Sequence, residues 1–219
     1  ETVPVVKEQP VALIIPELKT VSAEMAKSAT IIDTSKPPLI PIPLKPIVKY
    51  PASGKHDAAF MYFLPFKKGE NYLVSQGYQG KVSHQNKFAL DFAMPVGTEI
   101  YAARDGIVSE VVQNNSRGCE SIDCAKYENY ILINHSDGSF ARYAHIKENG
   151  AVVKPGELVG IGQLIGFSGD TGRTTEASLH FEVFIRKASV EKSLKTNFLL
   201  GDGTDYGILF PQQSYSRKY

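Results

Sequence analysis

The sequence predicts an all-β domain, with twisted antiparallel sheets forming a groove, preceded by an extended Pro-rich N-terminal arm. Three observations predict it. Nine of the 13 prolines lie in residues 1–51, whereas all 18 glycines and all five histidines lie from Gly54 onward. From residue 60 onward, short β-branched and aromatic runs recur between Gly, Pro, Asn and Asp breaks, the pattern of strands joined by turns. Long helical periodicity is absent throughout.

The arm comes first, over residues 1–52. Proline fixes φ and removes a donor, so PPLIPIPLKPIVKYP reads as a polyproline-like connector rather than a core strand. Its Val, Ile and Leu content is too high for pure disorder, so the arm is expected to pack on something. VSAEMAKSATIID is expected to hold a short helix.

A domain over residues 53–219 follows. AAFMYFLPF, YLVSQGY, FALDFAM, EIYAA and GIVSEVVQ supply its first strands. NYILINH and SFARYAHI form a hairpin, because Asp137-Gly138 between them suits a tight turn. Gly156, Gly160, Gly162, Gly166, Gly169 and Gly172 punctuate one 17-residue stretch, which suits strands that bend and turn often. SLHFEVFI alternates as a strand should: Ser178, His180 and Glu182 share one face, and Leu179, Phe181 and Val183 the other. Its back belongs in a core; its front lines a cleft or faces solvent. The tail after residue 190 is expected to add an edge strand or cover the groove's end.

Composition excludes some functions. Lys and Arg number 24 against 23 Asp and Glu, a net charge of +1, which argues against a general nucleic-acid binder. No run approaches the roughly 18 apolar residues of a membrane-spanning helix. The chain begins at Glu1 with neither Met nor leader, as a mature form after signal removal does, or a trimmed chain. Cys119 and Cys124 flank four residues in a polar stretch. They read as a loop-closing disulfide, implying an oxidising compartment, with a pair of free thiols as the alternative.

The chemistry-bearing side chains are few. Asp91 sits in the apolar run FALDFAM, and an unpaired buried carboxylate is costly, so a metal, a cationic side chain or a backbone cap must meet it. His145 follows Tyr143 on the same side of RYAHI, and His135 ends the neighbouring strand, so the two imidazoles are candidates to meet across the hairpin. His56 reads as a solvated residue at the domain entrance. No nucleophile elbow, P-loop, HExxH helix or dinucleotide fingerprint is present.

Taken in order, HQNKFALDFAMPVGTEIYAARDGIV, NYILINHSDGSFARYAHI, VKPGELVGIGQLIGFSGDTG and SLHFEV resemble the lysostaphin/LytM-type zinc endopeptidases that cut peptidoglycan cross-links. The resemblance covers about residues 60–186. It implies a LytM-like fold and a Zn2+ ion held by His84, Asp91 and His180, with His145 acting at the catalytic water. The separation of seven positions from His84 to Asp91 exceeds the family's commonest spacing and resembles a longer-loop subset. One position departs: the family's last motif is normally His-x-His, and its first His is replaced here by Ser178. Tyr143 and His135 are candidates for the vacated place, and Glu182 for orienting an imidazole.

The resemblance implies a zinc-dependent hydrolase of peptide bonds in peptidoglycan cross-links, weakened by Ser178. The alternative is a zinc-binding, non-catalytic module that binds cell wall or activates a partner hydrolase. The expected partners are peptidoglycan stem peptides and, in the alternative, a cell-wall hydrolase. The expected location is periplasmic or secreted. The arm is also long enough to lie over the groove as an inhibitory segment.

Overall fold

A computed structural model describes residues 55–219 of the chain. The Pro-rich arm, its expected short helix and its inhibitory placement fall on residues outside that range. The described chain enters through β1 (Met61–Tyr62) and β2 (Asn71–Gln76), turns into β3 (Ala89–Ala93) and β4 (Glu99–Tyr101), and continues in β5 (Gly106–Val112) and β6 (Gly118–Cys119). A 3-10 helix at Ile122–Tyr127 precedes the hairpin β7 (Tyr130–Asn134) and β8 (Ser139–Ala144). Next come β9 (Ile146–Ala151), β10 (Leu158–Val159) and β11 (Leu164–Ser168). β12 (Gly172–Arg173) leads into the longest strand, β13 (Ser178–Lys187), followed by β14 (Val190–Ser193), β15 (Asn197–Leu200), β16 (Asp205–Gly207) and β17 (Ser214–Ser216).

The described residues adopt the expected strand-rich class, with one short 3-10 helix. A nine-stranded antiparallel sheet runs β10-β5-β7-β8-β13-β3-β2-β17, with β14 paired to β13. β17 closes the edge beside β2, so the tail does add an edge strand. Small sheets β1-β15-β16 and β4-β11-β9 pack around the large one, and β6 pairs with β12 in parallel. No helix among the described residues is long and apolar enough to cross a membrane.

The core lies against one face of the large sheet because β3, β8 and β13 alternate in phase. Leu90 and Phe92, Ala141 and Tyr143, and Leu179, Phe181 and Val183 are all buried there. Phe181 packs edge-on against Tyr62, Tyr143 and Phe198 at 5.2–6.3 Å between ring centres. Burying a ring of that size contributes about 1.5–3 kcal/mol. The opposite face carries a second, smaller cluster, in which Phe140 stacks on Phe184 at 5.5 Å. Further along that same face stand Asp91 and His180, which are register partners on β3 and β13.

SFARYAHI is not one strand. β8 stops at Ala144, His145 takes a positive φ of 63°, and β9 resumes at Ile146. The positive φ costs an imidazole side chain more than it would glycine, and its consequence is a change of face at His145.

Candidate metal centre

Alternation in β13 aims His180 away from the core, and register places Asp91 directly across from it. His180 Nδ1 lies 2.8 Å from Asp91 Oδ1 and 3.2 Å from His84 Nε2. His84 Nε2 is 3.2 Å from Asp91 Oδ2. His84 comes from the loop between β2 and β3 and is fully buried. Its Nδ1 donates to the Gly77 carbonyl at 3.0 Å, since a carbonyl only accepts. In the neutral ring the Nε2 lone pair is therefore turned inward, as metal-ligating imidazoles are oriented. One ligand atom from each of the three residues lies within 4.8 Å of the others.

Electrostatics sharpen the fit. Burial alone pushes the Asp91 carboxyl up, but the bonds and charges of His180 and His84 outweigh it and hold the carboxyl well below the usual range. Burial also works against a charged His180, yet Asp91 and Glu182 push its pKa up to about 10. A proton on His180 then bridges atoms that would otherwise turn lone pairs on one another. A divalent cation is the other species that satisfies two imidazole nitrogens and a carboxylate oxygen so close together.

Residues missed by sequence reasoning hold this trio in place. The Gln76 side chain donates to Asp91 Oδ2 at 2.8 Å and to Ser83 Oγ at 2.7 Å, and its Oε1 accepts from Val82 and Ser83 backbone N–H. It ties the His84 loop to the carboxylate. A Cβ at Gly80 would sit 2.5 Å from Gln76 Cγ, so the loop needs that glycine to close over the amide. No local pattern around Gln76 signals the role, which exists only once the loop folds back.

The remaining predicted residues divide. His145, 6% exposed, has its ring centre 5.9 Å from that of His180, and its Nδ1 donates to the Thr171 carbonyl at 2.7 Å. Burial and the nearby His180 charge lower its pKa, favouring the neutral ring. Ser178 is buried on the same cleft wall, its hydroxyl donating to the Glu176 carbonyl at 3.3 Å. Glu182 places Oε2 3.7 Å from His180 Nε2, with Lys87 and Arg142 also at 3.7 Å. Cys119 and Cys124 are joined as a disulfide, Cα atoms 5.7 Å apart.

Tyr143 and His135 are corrections. Tyr143 points into the core and accepts the Ala103 backbone N–H at 2.8 Å; the positive φ at His145 puts the two side chains on different faces, contrary to simple alternation. His135 sits at the turn end of the β7–β8 hairpin, whereas His145 follows the far end of β8, so antiparallel pairing separates them. Its Nδ1 donates to the Asp105 carbonyl at 2.7 Å and its ring packs on Tyr62. His56 is also less solvated than expected, with Nδ1 3.3 Å from Asp137 Oδ2.

The centre opens into a cleft of about 460 Å³ lined by Gln76, Tyr78, Asp91, His145, Glu176 and Ser178. A partly apolar cleft with convergent polar groups suits a peptide-sized ligand.

Residues 85–192 match the model of peptidase family M23. His84 stands one residue before that segment; Asp91, His145 and His180 lie inside it. The chain is 37% identical over 107 residues to peptidoglycan DD-endopeptidase ShyA of Vibrio cholerae serotype O1, covering 49% of this chain and 22% of that protein. It is 39% identical over 95 residues to ShyC of the same organism, covering 43% and 19%. The catalytic domain of lysostaphin from Staphylococcus simulans superposes with a TM-score of 0.43 and 26% identity, over 57% of this chain and 87% of that one. The chain spans about a fifth of the length of the two Vibrio relatives. In its ordered motifs and over residues 85–192, just under half of its length, the chain is thus similar to peptidase family M23.

Proposed function

We propose that the domain, residues 53–219, is a zinc-dependent endopeptidase acting on peptide cross-links of peptidoglycan outside the cytoplasm. The carrying observation is the convergence of His84 Nε2, Asp91 and His180 Nδ1, brought together by one buried loop and one strand register. The M23 match and relatives named as peptidoglycan DD-endopeptidases support the substrate class. The Cys119–Cys124 disulfide supports an oxidising compartment.

In this reading His84, Asp91 and His180 hold the ion. Zinc bound there supplies Lewis-acid polarisation of the scissile carbonyl and lowers the pKa of a nearby water. His145 acts as the base, because its Nδ1–H donates to the Thr171 carbonyl, which leaves Nε2 with a lone pair. Glu182 steadies the far nitrogen of His180. Ser178 donates a hydrogen bond but holds no proton near neutral pH. Losing one acid–base group costs about 10²–10⁴ in rate, so hydrolysis is slow. The Pro-rich arm, residues 1–52, is a separate segment in this reading, and comparing activity with and without it tests whether it is inhibitory.

Ser178 also favours a second reading, a zinc-binding module that binds wall or stimulates a partner hydrolase. One experiment separates the two. Metal-loaded protein and its Ser178→His variant are incubated with purified sacculi, with and without chelator. Chelator-sensitive release of peptides, rising in Ser178→His, supports the peptidase. Silence of both versions, with stimulation of an added wall hydrolase, supports the module. Protein that takes up no zinc overturns both.

A further inference from the structure

We infer that Arg173 is a specificity residue: its guanidinium receives a free carboxylate carried by the peptide in the cleft. The inference rests on the peptidase reading and names a chemical feature of the substrate. Arg173 lines the same cleft as Asp91, His145 and Ser178. It stands on β12, opposite Cys119 of β6 in a parallel pair.

That wall is built to be rigid. The Cys119–Cys124 disulfide closes the loop beyond β6. Gly172 N donates to the Arg117 carbonyl at 2.9 Å, and Thr174 N to the Cys119 carbonyl at 3.1 Å. Gly118 has no room for a side chain, because a Cβ there would overlap the Asp170 carbonyl. From this wall the half-buried Arg173 donates Nε to the Glu120 carbonyl at 3.3 Å. A guanidinium is a planar fork, so anchoring Nε restricts the plane in which its two Nη groups lie.

The fork meets no acid among the described residues. Arg104, Arg142 and Arg186 each reach a carboxylate, at 2.9, 3.1 and 2.6 Å. Among the described residues, no carboxylate lies within 4.0 Å of Arg173. Glu120 and Glu176 line the same cleft but are exposed and lie outside that distance, and exposed Lys81 adds a second cation there. An oriented guanidinium binds a carboxylate through two charge-assisted hydrogen bonds, which an amide cannot match.

The test uses two cross-linked stem peptides that differ only in whether their carboxyl groups are free or amidated. With metal-loaded protein, KM for the free acid is expected to be about tenfold to a hundredfold below that for the amide. Arg173→Gln should raise KM for the free acid alone, with kcat little changed, and Arg173→Lys should restore part of the preference. Equal KM values for both peptides in the unaltered protein overturn the inference. So does an Arg173→Gln variant that loses both substrates alike, since that describes a wall residue. If the unaltered protein cuts neither peptide, the peptidase reading has failed, and calorimetric binding of the same two peptides decides Arg173 separately. Tighter binding of the free acid, abolished in Arg173→Gln, supports it; equal binding overturns it.

Discussion

The Thr171 carbonyl accepts a hydrogen bond from His145 Nδ1 at 2.7 Å and thereby selects which ring nitrogen keeps its lone pair. Thr171 is itself held, its hydroxyl donating to the Ile146 carbonyl at 2.9 Å and accepting the Asn129 N–H at 3.2 Å. The imidazole is thus oriented by a carbonyl whose own residue is tied to the strand after the bend and to Asn129. His145→Ala should therefore lower kcat by about 10²–10⁴ while zinc content stays unchanged. Steady-state hydrolysis beside metal analysis checks this; a parallel loss of zinc would make His145 a ligand instead.

Gln76 ties Asp91 to the loop that carries His84. Removing a group that orients metal ligands typically weakens metal binding about 10–100-fold. Gln76→Ala should do so without unfolding the domain. Competition with a chromophoric chelator reads the affinity, and an unchanged value would leave the amide without this role.

The Cys119–Cys124 disulfide closes a short loop of six residues, counted from their separation of five. Chain-entropy reasoning assigns such a loop about 2 kcal/mol. Replacing both cysteines with serine should lower stability by that amount in urea titration. It should also loosen β6 and the β12 strand it pairs with. A double variant as stable as the parent would show that hydrogen bonds alone hold this wall.

His135 is fully buried, and burial lowers its pKa to about 4 from 6.5. Folding therefore favours the neutral ring. This contribution is whole above pH 6.5 and is lost as pH falls towards about 4. The loss amounts to about 3 kcal/mol. Asp137 and Arg104, which also act on this ring, pull in opposite directions. His135→Gln should flatten the stability profile between those pH values, measured by denaturant titration at each pH. A variant with the parental slope would assign the acid sensitivity to other groups.

Much of the fold was legible because strand patterning is local. SLHFEVFI shows its two faces in the sequence, and β13 buries Leu179, Phe181 and Val183 as that alternation requires. Asp91, isolated among apolar neighbours, announces the need for a partner. The turn at Asp137-Gly138 joins β7 to β8 where expected. His145 was misassigned to the face of Tyr143 because alternation holds only while the backbone stays extended, and one residue at φ 63° ends it. Gln76 and Arg173 carried no signal, since each acquires its setting from a segment distant in sequence or folded back upon it.

The linear order of residues by itself determined the strand-rich class, the buried face of each strand, and which side chains had the donor chemistry for a divalent ion. Tertiary structure alone decided that Asp91 and His180 share a rung, that the β2–β3 loop delivers His84 to them, and that His145 turns toward the cleft while Tyr143 and His135 do not. The reason is physical. Alternation and propensity act between near neighbours, whereas a coordination site needs atoms from separate strands within a few ångströms, and only register, loop closure and local φ set those distances.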